Sequence, residues 1–161
     1  MQDEEFMDAA LKLAKEAAAD GEVPVGCVIV RDGTIVGRGR NRRERAKTAL
    51  GHGEIEAIAE ANRNLGGWRL WDCTLYVTLE PCPMCAGAIL NARIPRVVFG
   101  AKDDKCGAFG SVCDLSTMAF NHHPAVEAGL REQEASALLQ DFFRNLRVTL
   151  RARPKWRKPE K

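Results

Sequence analysis

Pro81-Cys82-Pro83-Met84-Cys85, read together with His52-Gly53-Glu54 upstream, is the stretch around which the fold and chemistry of this chain are organised. Two cysteines three positions apart lie on one face of a helix, so both thiolates can bind one metal ion. His52 offers a third ligand, and this donor set suits zinc. Three protein ligands leave one tetrahedral position open for water. Glu54 is then the carboxylate placed to move the protons of that water.

Two other interpretations of the cysteine pair remain open from the residues alone. An intracellular Cys-x-x-Cys can be a redox pair. A closed structural zinc site is the second, and its fourth ligand would be Cys73, Cys106, Cys113, His122 or His123. The accompanying His-x-Glu favours a catalytic site, because neither alternative requires that carboxylate.

The residues around the cysteine pair predict a strand–helix–strand unit. Residues 73–79 form a continuous apolar run typical of a buried strand, and residues 82–92 follow as a helix. Pro83 fits the first turn of that helix, where no backbone N–H is needed. Residues 95–101 are the next strand, and the helical crossover predicts that it pairs in parallel with residues 73–79.

The N-terminal half predicts a helix over residues 3–19 and a hairpin of residues 23–30 and 34–39, joined at Asp32-Gly33. Residues 41–50 are polar and basic, and we expect a loop over the site. The following helix should begin near His52, because His52 and Glu54 can face one zinc ion only if His52 precedes the first turn. A last helix is expected over residues 130–150.

These elements predict a three-layer α/β/α fold, with a central mixed sheet and helices on both faces. Residues 1–150 are expected to form a single zinc-dependent domain, and residues 151–161 a basic C-terminal tail. With 161 residues, 45% hydrophobic and 29% charged, the composition is that of a globular protein. An acidic N-terminus and the absence of a long apolar run argue against export or membrane insertion, so we expect a cytoplasmic protein with reduced cysteines.

The net charge of +2 conceals an uneven distribution. From Arg144 onward, eight basic residues stand against Glu160 alone, whereas residues 1–143 are acidic overall. A basic tail on an acidic body suggests contact with a polyanion. The residues leave open a solvated tail that serves solubility only.

The H-x-E…P-C-x-x-C pattern is the signature of zinc deaminases of nucleobases. With the blocks at residues 22–26, 39–42, 74–89, 96–101, 107–111 and 141–144, the chain resembles the bacterial tRNA-specific adenosine deaminases, in the cytidine/deoxycytidylate deaminase superfamily. That resemblance implies a cytidine-deaminase-like fold and hydrolytic deamination of adenosine to inosine at the wobble position. The implied partners are a zinc ion (Zn2+), a tRNA anticodon stem-loop and a second copy of the chain, with the helix after Cys82 near the interface.

The resemblance also implies roles for particular residues. Zinc would be held by His52, Cys82 and Cys85, and Glu54 would be the catalytic proton shuttle. Substrate contacts would come from Asn41 to the purine, Val23 on the purine face, Asp103 and Lys105 near the flanking nucleotides, and Phe143 on the anticodon-loop surface. The family usually has His-Ala-Glu where this chain has Gly53, a departure that either is neutral or enlarges the site.

Two further functions share parts of this pattern. A deaminase of a free base or nucleoside, such as guanine or cytidine, shares the zinc motif but does not need the basic tail. A zinc-containing RNA-binding module without activity is the non-enzyme alternative, and Glu54 argues against it.

Overall fold

The computed structural model describes residues 2–152, which form one five-stranded sheet with helices on both faces. The strands are β1 (Gly26–Arg31), β2 (Thr34–Arg40), β3 (Cys73–Leu79), β4 (Arg96–Ala101) and β5 (Ala125–Ala128). The helices are α1 (Gln2–Ala19), α2 (Arg43–Ala46), α3 (Gly53–Leu65), α4 (Pro83–Ala92) and α5 (Glu132–Ala152). The predicted three-layer fold with a mixed sheet is confirmed.

The strand order is β2-β1-β3-β4-β5. β1 is antiparallel to both β2 and β3, whereas β3, β4 and β5 are parallel. Asp32 and Gly33 have φ angles of 50° and 74°, as a two-residue type I′ hairpin requires. The predicted hairpin and the predicted parallel pairing of β3 with β4 are therefore both confirmed.

Alternate residues of the strands point into two separate cores. On one face α1 and α5 cover Val28, Tyr76 and Val98. On the other face α3 and α4 cover Ile29, Leu75 and further residues of β3 and β4. Each large aliphatic side chain that is fully buried in this way contributes about 1.5–3 kcal/mol to stability. The His52–Glu54 motif and the Cys82–Cys85 motif both lie on the face that α3 and α4 cover.

Three segments differ from the sequence prediction. β5 was not expected, because it is a short and largely exposed edge strand of sequence Ala-Val-Glu-Ala. Residues 23–25 precede β1 instead of belonging to it, since Pro24 has no N–H for the ladder and the Val25 N–H donates to the carbonyl of Val23. Residues 41–50, which were predicted to be a loop, contain the short helix α2.

At the C-terminus α5 continues to Ala152, two residues beyond the predicted domain boundary. Residues 153–161, most of the predicted tail, lie outside the described residues. Within the described part of the chain, no helix is both long and apolar enough to cross a membrane.

Candidate active site

The N-termini of α3 and α4 bring the two sequence motifs together. His52 is the N-cap residue of α3 and Cys82 is the N-cap residue of α4, and both have extended backbone conformations. Pro83 occupies the first helical position, as the sequence predicts. Because His52 lies just before the first turn, Glu54 can turn toward the same region, which is the geometry the two-residue spacing requires.

His52, Cys82 and Cys85 form a compact three-ligand cluster. The Nδ1 atom of His52 lies 3.4 Å from the Sγ atom of Cys85 and 3.6 Å from that of Cys82. A tetrahedral zinc ion with ordinary bond lengths holds nitrogen and sulfur ligands roughly 3.6 Å apart. The donor types and their spacing therefore both fit zinc.

Within residues 2–152 this cluster has three members and gains no fourth ligand. The rings of His122 and His123 are bound elsewhere, to the carbonyl groups of Ile94 and Ser116. A three-ligand site is the arrangement of catalytic zinc, which leaves one position for water or substrate. The geometry does not support the closed structural site.

The protonation of the cluster follows from its hydrogen bonds. The pKa of Cys82 is lowered to about 4, chiefly by the hydrogen bond from Cys85 and also by the one from His52. The same pairing with Cys82, together with burial, raises the pKa of Cys85. The hydrogen bond to Cys82 raises the pKa of His52. The lowered pKa favours the thiolate form at Cys82, which is half-buried, whereas Cys85 is buried.

Glu54 lies beside the cluster and is only 3% exposed. Burial is the main reason that its pKa is raised above the ordinary value for a glutamate. A raised pKa favours uptake of a proton by this carboxyl group, which suits it to general acid–base catalysis.

A cavity of about 560 Å³ opens above the cluster. Eight of the nine predicted site residues line it, and the ninth, Cys85, is buried beside His52. The eight residues are Val23, Asn41, His52, Glu54, Cys82, Asp103, Lys105 and Phe143. The structure thus brings together residues from six separate segments of the chain.

Asn41 is oriented by the loop that follows it. Its Oδ1 atom accepts a hydrogen bond from the backbone N–H of Arg43 at 3.0 Å. The other end of the amide, Nδ2, can only donate hydrogen bonds, and Asn41 lines the cavity. Val23 and Val25 provide apolar surface beside it.

Glu80 shapes the opposite wall and was missed by the sequence prediction. Its carboxylate is 2% exposed and accepts hydrogen bonds from the backbone N–H groups of Asp103, Phe109 and Ser111. The Ser111 hydroxyl donates a fourth. The signal in the sequence is a charged residue at the end of a buried strand. These bonds hold residues 103–111, which include Asp103 and Lys105, at the cavity mouth.

α5 closes the cavity on a third side. Leu139 and Phe143 lie one helical turn apart and both face the cavity. Leu139 was missed, although its position four residues before Phe143 could have indicated it. The other lining residues that the prediction omitted are Val25, Arg43, Gly53, Leu79, Lys102, Asp104 and Cys106.

Comparison with known proteins agrees with this geometry. A family model described as MafB19-like deaminase matches residues 1–147. The tRNA-specific adenosine deaminase of Bacillus subtilis (strain 168) is 47% identical over 152 residues, which cover 94% of each chain. A solved structure from a study of A-to-I editing by tRNA:A34 deaminases has a TM-score of 0.81 and 43% identity, covering 84% of this chain and 99% of that one. A guanine deaminase structure from Bacillus subtilis has a TM-score of 0.61 and 33% identity, with 88% and 93% coverage.

The fold and the site define a deaminase of the cytidine deaminase superfamily, a class whose members are generally zinc-dependent. The curated relatives at 47–49% identity and the tRNA:A34 deaminase structure place it on one branch of that class. The chain belongs to the family of tRNA-specific adenosine deaminases.

Proposed function

We infer that the protein hydrolyses adenosine to inosine at the wobble position of a tRNA anticodon. The chemistry is supported by one observation above all: the His52, Cys82 and Cys85 ligand atoms and the buried Glu54 meet at the floor of one cavity. The choice of substrate is supported by the chain's membership of the tRNA-specific family.

We propose that His52, Cys82 and Cys85 bind zinc. Zinc held by these residues would act as a Lewis acid and would lower the pKa of a water at its open position to about 7. Glu54 accepts a proton from the attacking water and delivers it to ring N1 as the oxygen adds at C6. The carboxylate then takes the remaining proton from the added hydroxyl group and passes it to the amino group. The C6–N bond breaks as the C6=O bond forms, so the net reaction consumes one water and releases one ammonia. The N-terminal N–H groups of α4 favour negative charge at the reacting oxygen.

In this proposal the target base is positioned by Asn41, Val23 and the apolar side chains of α5 that line the cavity. The Nδ2 group of Asn41 donates to a ring nitrogen, and Val23 packs on the purine face. Asp103, Lys105 and Phe143 lie at the cavity mouth, where the nucleotides on either side of the target would pass. The target must leave its stack, which costs a few kcal/mol and less in a single-stranded loop.

We propose a homodimer with α4 at the interface. Gly87 has open space beside it, and the neighbouring Met84 and Ala88 are only partly buried, so one side of an apolar helix is uncovered. Val112, Met118 and Phe120 on the later loop are also exposed. A second copy of the chain would bury both surfaces. The proposed tRNA substrate supports a cytoplasmic location, which we also propose.

The experiment that tests the function is incubation with total tRNA, followed by sequencing for adenosine-to-inosine changes. Conversion at the wobble position is the expected result. The similarity to a guanine deaminase makes free guanine the rival substrate. Rapid turnover of guanine with no inosine formed in tRNA would overturn the proposal, whereas the deaminase chemistry would survive.

A further inference from the structure

Positive charge in the body of the protein is concentrated on one segment. Residues 38–47 contain six basic side chains and one acidic side chain, and we call this segment the basic loop. The remainder of residues 1–143 contains ten basic and twenty acidic side chains. The basic side chains of the loop are Arg38, Arg40, Arg42, Arg43, Arg45 and Lys47. Such segregation is unnecessary for solubility and is typical of a polyanion-binding surface.

The basic loop joins two residues of the candidate site, since Asn41 lies within it and His52 follows it. Arg43 lines the active-site cavity, and Arg45 and Lys47, two and four positions further along the chain, are exposed. In the other direction Arg38 and Arg40 line a separate groove of about 440 Å³ between β2, α1 and α3. From position 38 to position 42 the extended chain spans about 13 Å. The charge therefore runs outward from the cavity mouth.

Only some of these charges are neutralised by ion pairs. Arg40 and Arg45 share Asp20, at 2.9 and 3.5 Å, and Arg42 pairs with Glu56 at 2.8 Å. Among the residues that the structure describes, Arg38, Arg43 and Lys47 form no ion pair. Three cationic side chains thus face solvent along the loop.

The backbone of the basic loop is held by a buried carboxylate. Glu22 is 2% exposed and accepts hydrogen bonds from the N–H groups of Glu44 at 3.0 Å and Arg45 at 3.5 Å. The Arg42 N–H donates to the carbonyl of Gly51 at 2.7 Å, which closes the loop. A buried carboxylate is costly unless it is hydrogen-bonded, so Glu22 and the first turn of α2 stabilise each other. The exposed cations are consequently presented from an ordered backbone.

We propose that the basic loop binds the sugar–phosphate backbone of the RNA strand beside the target nucleotide, and that Glu22 positions it. The inference rests on the proposed RNA substrate. A nucleotide whose base enters the cavity leaves its flanking phosphates at the mouth, where Arg43 and the opposing Lys102 and Lys105 lie. Arg38 and Lys47 extend this cationic surface, independently of the basic residues beyond position 152.

The decisive variant is Arg38→Gln/Lys47→Gln, because these two side chains are exposed and lie outside the catalytic cavity. Its matched control is Arg31→Gln/Arg69→Gln, which removes two charges at the opposite end of the sheet. Binding of a synthetic anticodon stem-loop is measured over a series of salt concentrations. Each contact to single-stranded RNA contributes about 0.7 to the slope of log K against log salt. We expect the slope to fall by about 1.4 in the loop variant and to stay at the wild-type value in the control.

Glu22→Gln tests the positioning role through the same slope. A glutamine offers one acceptor oxygen and an NH2 group that cannot accept the second N–H, so the loop should lose order. We expect a smaller salt slope and faster trypsin cleavage after Arg43, Arg45 and Lys47, with partial rescue by Glu22→Asp. If Glu22→Gln does not fold, the Arg38/Lys47 variant alone decides.

The possible failures can be told apart. A wild-type salt slope in the loop variant, in a protein whose parent deaminates the stem-loop, overturns this inference only. Failure of the wild-type protein to deaminate the stem-loop overturns the proposed function as well. If the salt slope falls equally in Arg38→Gln/Lys47→Gln and in Arg31→Gln/Arg69→Gln, the basic loop is not the RNA-binding surface.

Discussion

Gly39 on β2 lies directly against the backbone of Gly53, the first residue of α3. A Cβ atom at Gly39 would be 2.0 Å from the carbonyl oxygen of Gly53, and one at Gly37 would be 2.3 Å from that of Ala57. α3 thus packs on β2 through backbone contact, without side chains between them. Because His52 and Glu54 flank Gly53, this contact sets the height of the catalytic residues above the sheet.

The first prediction compares two glycine substitutions at this contact. Gly39→Ala should lower the free energy of unfolding by about 1–3 kcal/mol or more, because the new methyl overlaps backbone atoms. A Cβ atom at Gly53 would be 3.1 Å from the Arg40 Cα, and Gly53 has no positive φ, so Gly53→Ala needs only a small shift. The entropic gain of about 0.4–1 kcal/mol opposes that strain, and we expect a change below about 1 kcal/mol. Denaturant unfolding measures the free energy of unfolding of both variants. Equal losses of stability in the two variants would contradict the close backbone contact at Gly39.

The second prediction concerns the metal. Cys85→Ala should abolish stoichiometric zinc binding, because two ligands hold zinc far less tightly than three. Cys113→Ala, which removes a thiol outside the cluster, is the control and should retain zinc. Metal analysis of both purified proteins is the measurement. A Cys85→Ala protein with one zinc per chain would remove Cys85 from the ligand set.

The third prediction separates a catalytic role of Glu54 from a structural one. Glu54→Gln should bind zinc and keep its shape but lose turnover by about 10²–10⁴-fold, since the proton carrier is gone. Glu56→Gln is the matched control, because Glu56 pairs with Arg42 outside the cavity. Single-turnover kinetics on an anticodon stem-loop would check this. Wild-type rates in Glu54→Gln would show that another group transfers the protons.

The fourth prediction concerns the loop held by Glu80. Glu80→Gln keeps the shape of the side chain but replaces one acceptor oxygen with a donor, which faces N–H groups that also donate. We expect KM for the stem-loop to rise more than kcat falls, because Asp103 and Lys105 at the mouth lose their positions. Trypsin should cleave faster after Lys102 and Lys105. Unchanged KM with unchanged proteolysis would exclude Glu80 as an anchor, and Ser111→Ala should show a milder form of the same effect.

The fifth prediction is a pH effect at the far side of the sheet. Arg96 and Tyr76 hydrogen-bond to Asp3 and hold its pKa at about 2, below the ordinary 3.8. A lowered pKa contributes stability that is present above the ordinary value and is lost as the pH falls toward about 2. The gap in unfolding free energy between wild type and Asp3→Asn should therefore shrink between about pH 4 and pH 2. Exposed Glu5→Gln serves as the control, and a constant gap would contradict the assignment.

Local sequence determined much of this protein. The Asp32-Gly33 pair specified the hairpin because both positions need positive φ, and Pro83 marked the start of α4 because a proline needs no N–H partner there. The spacing of Cys82 and Cys85 placed two thiols on one side of the chain. These features depend on neighbours within a few residues, and so they can be recognised from the residues alone.

Only the tertiary structure decided which distant groups meet. It placed His52 against Cys82, thirty positions away, and added β5 because the edge of β4 offered unpaired backbone groups to a segment with little strand propensity of its own. It also buried Glu22 and Glu80 beneath the two loops at the cavity mouth. A buried carboxylate is stable only where backbone N–H groups from elsewhere in the chain converge on it, and that convergence follows from packing of the whole sheet, not from any local pattern.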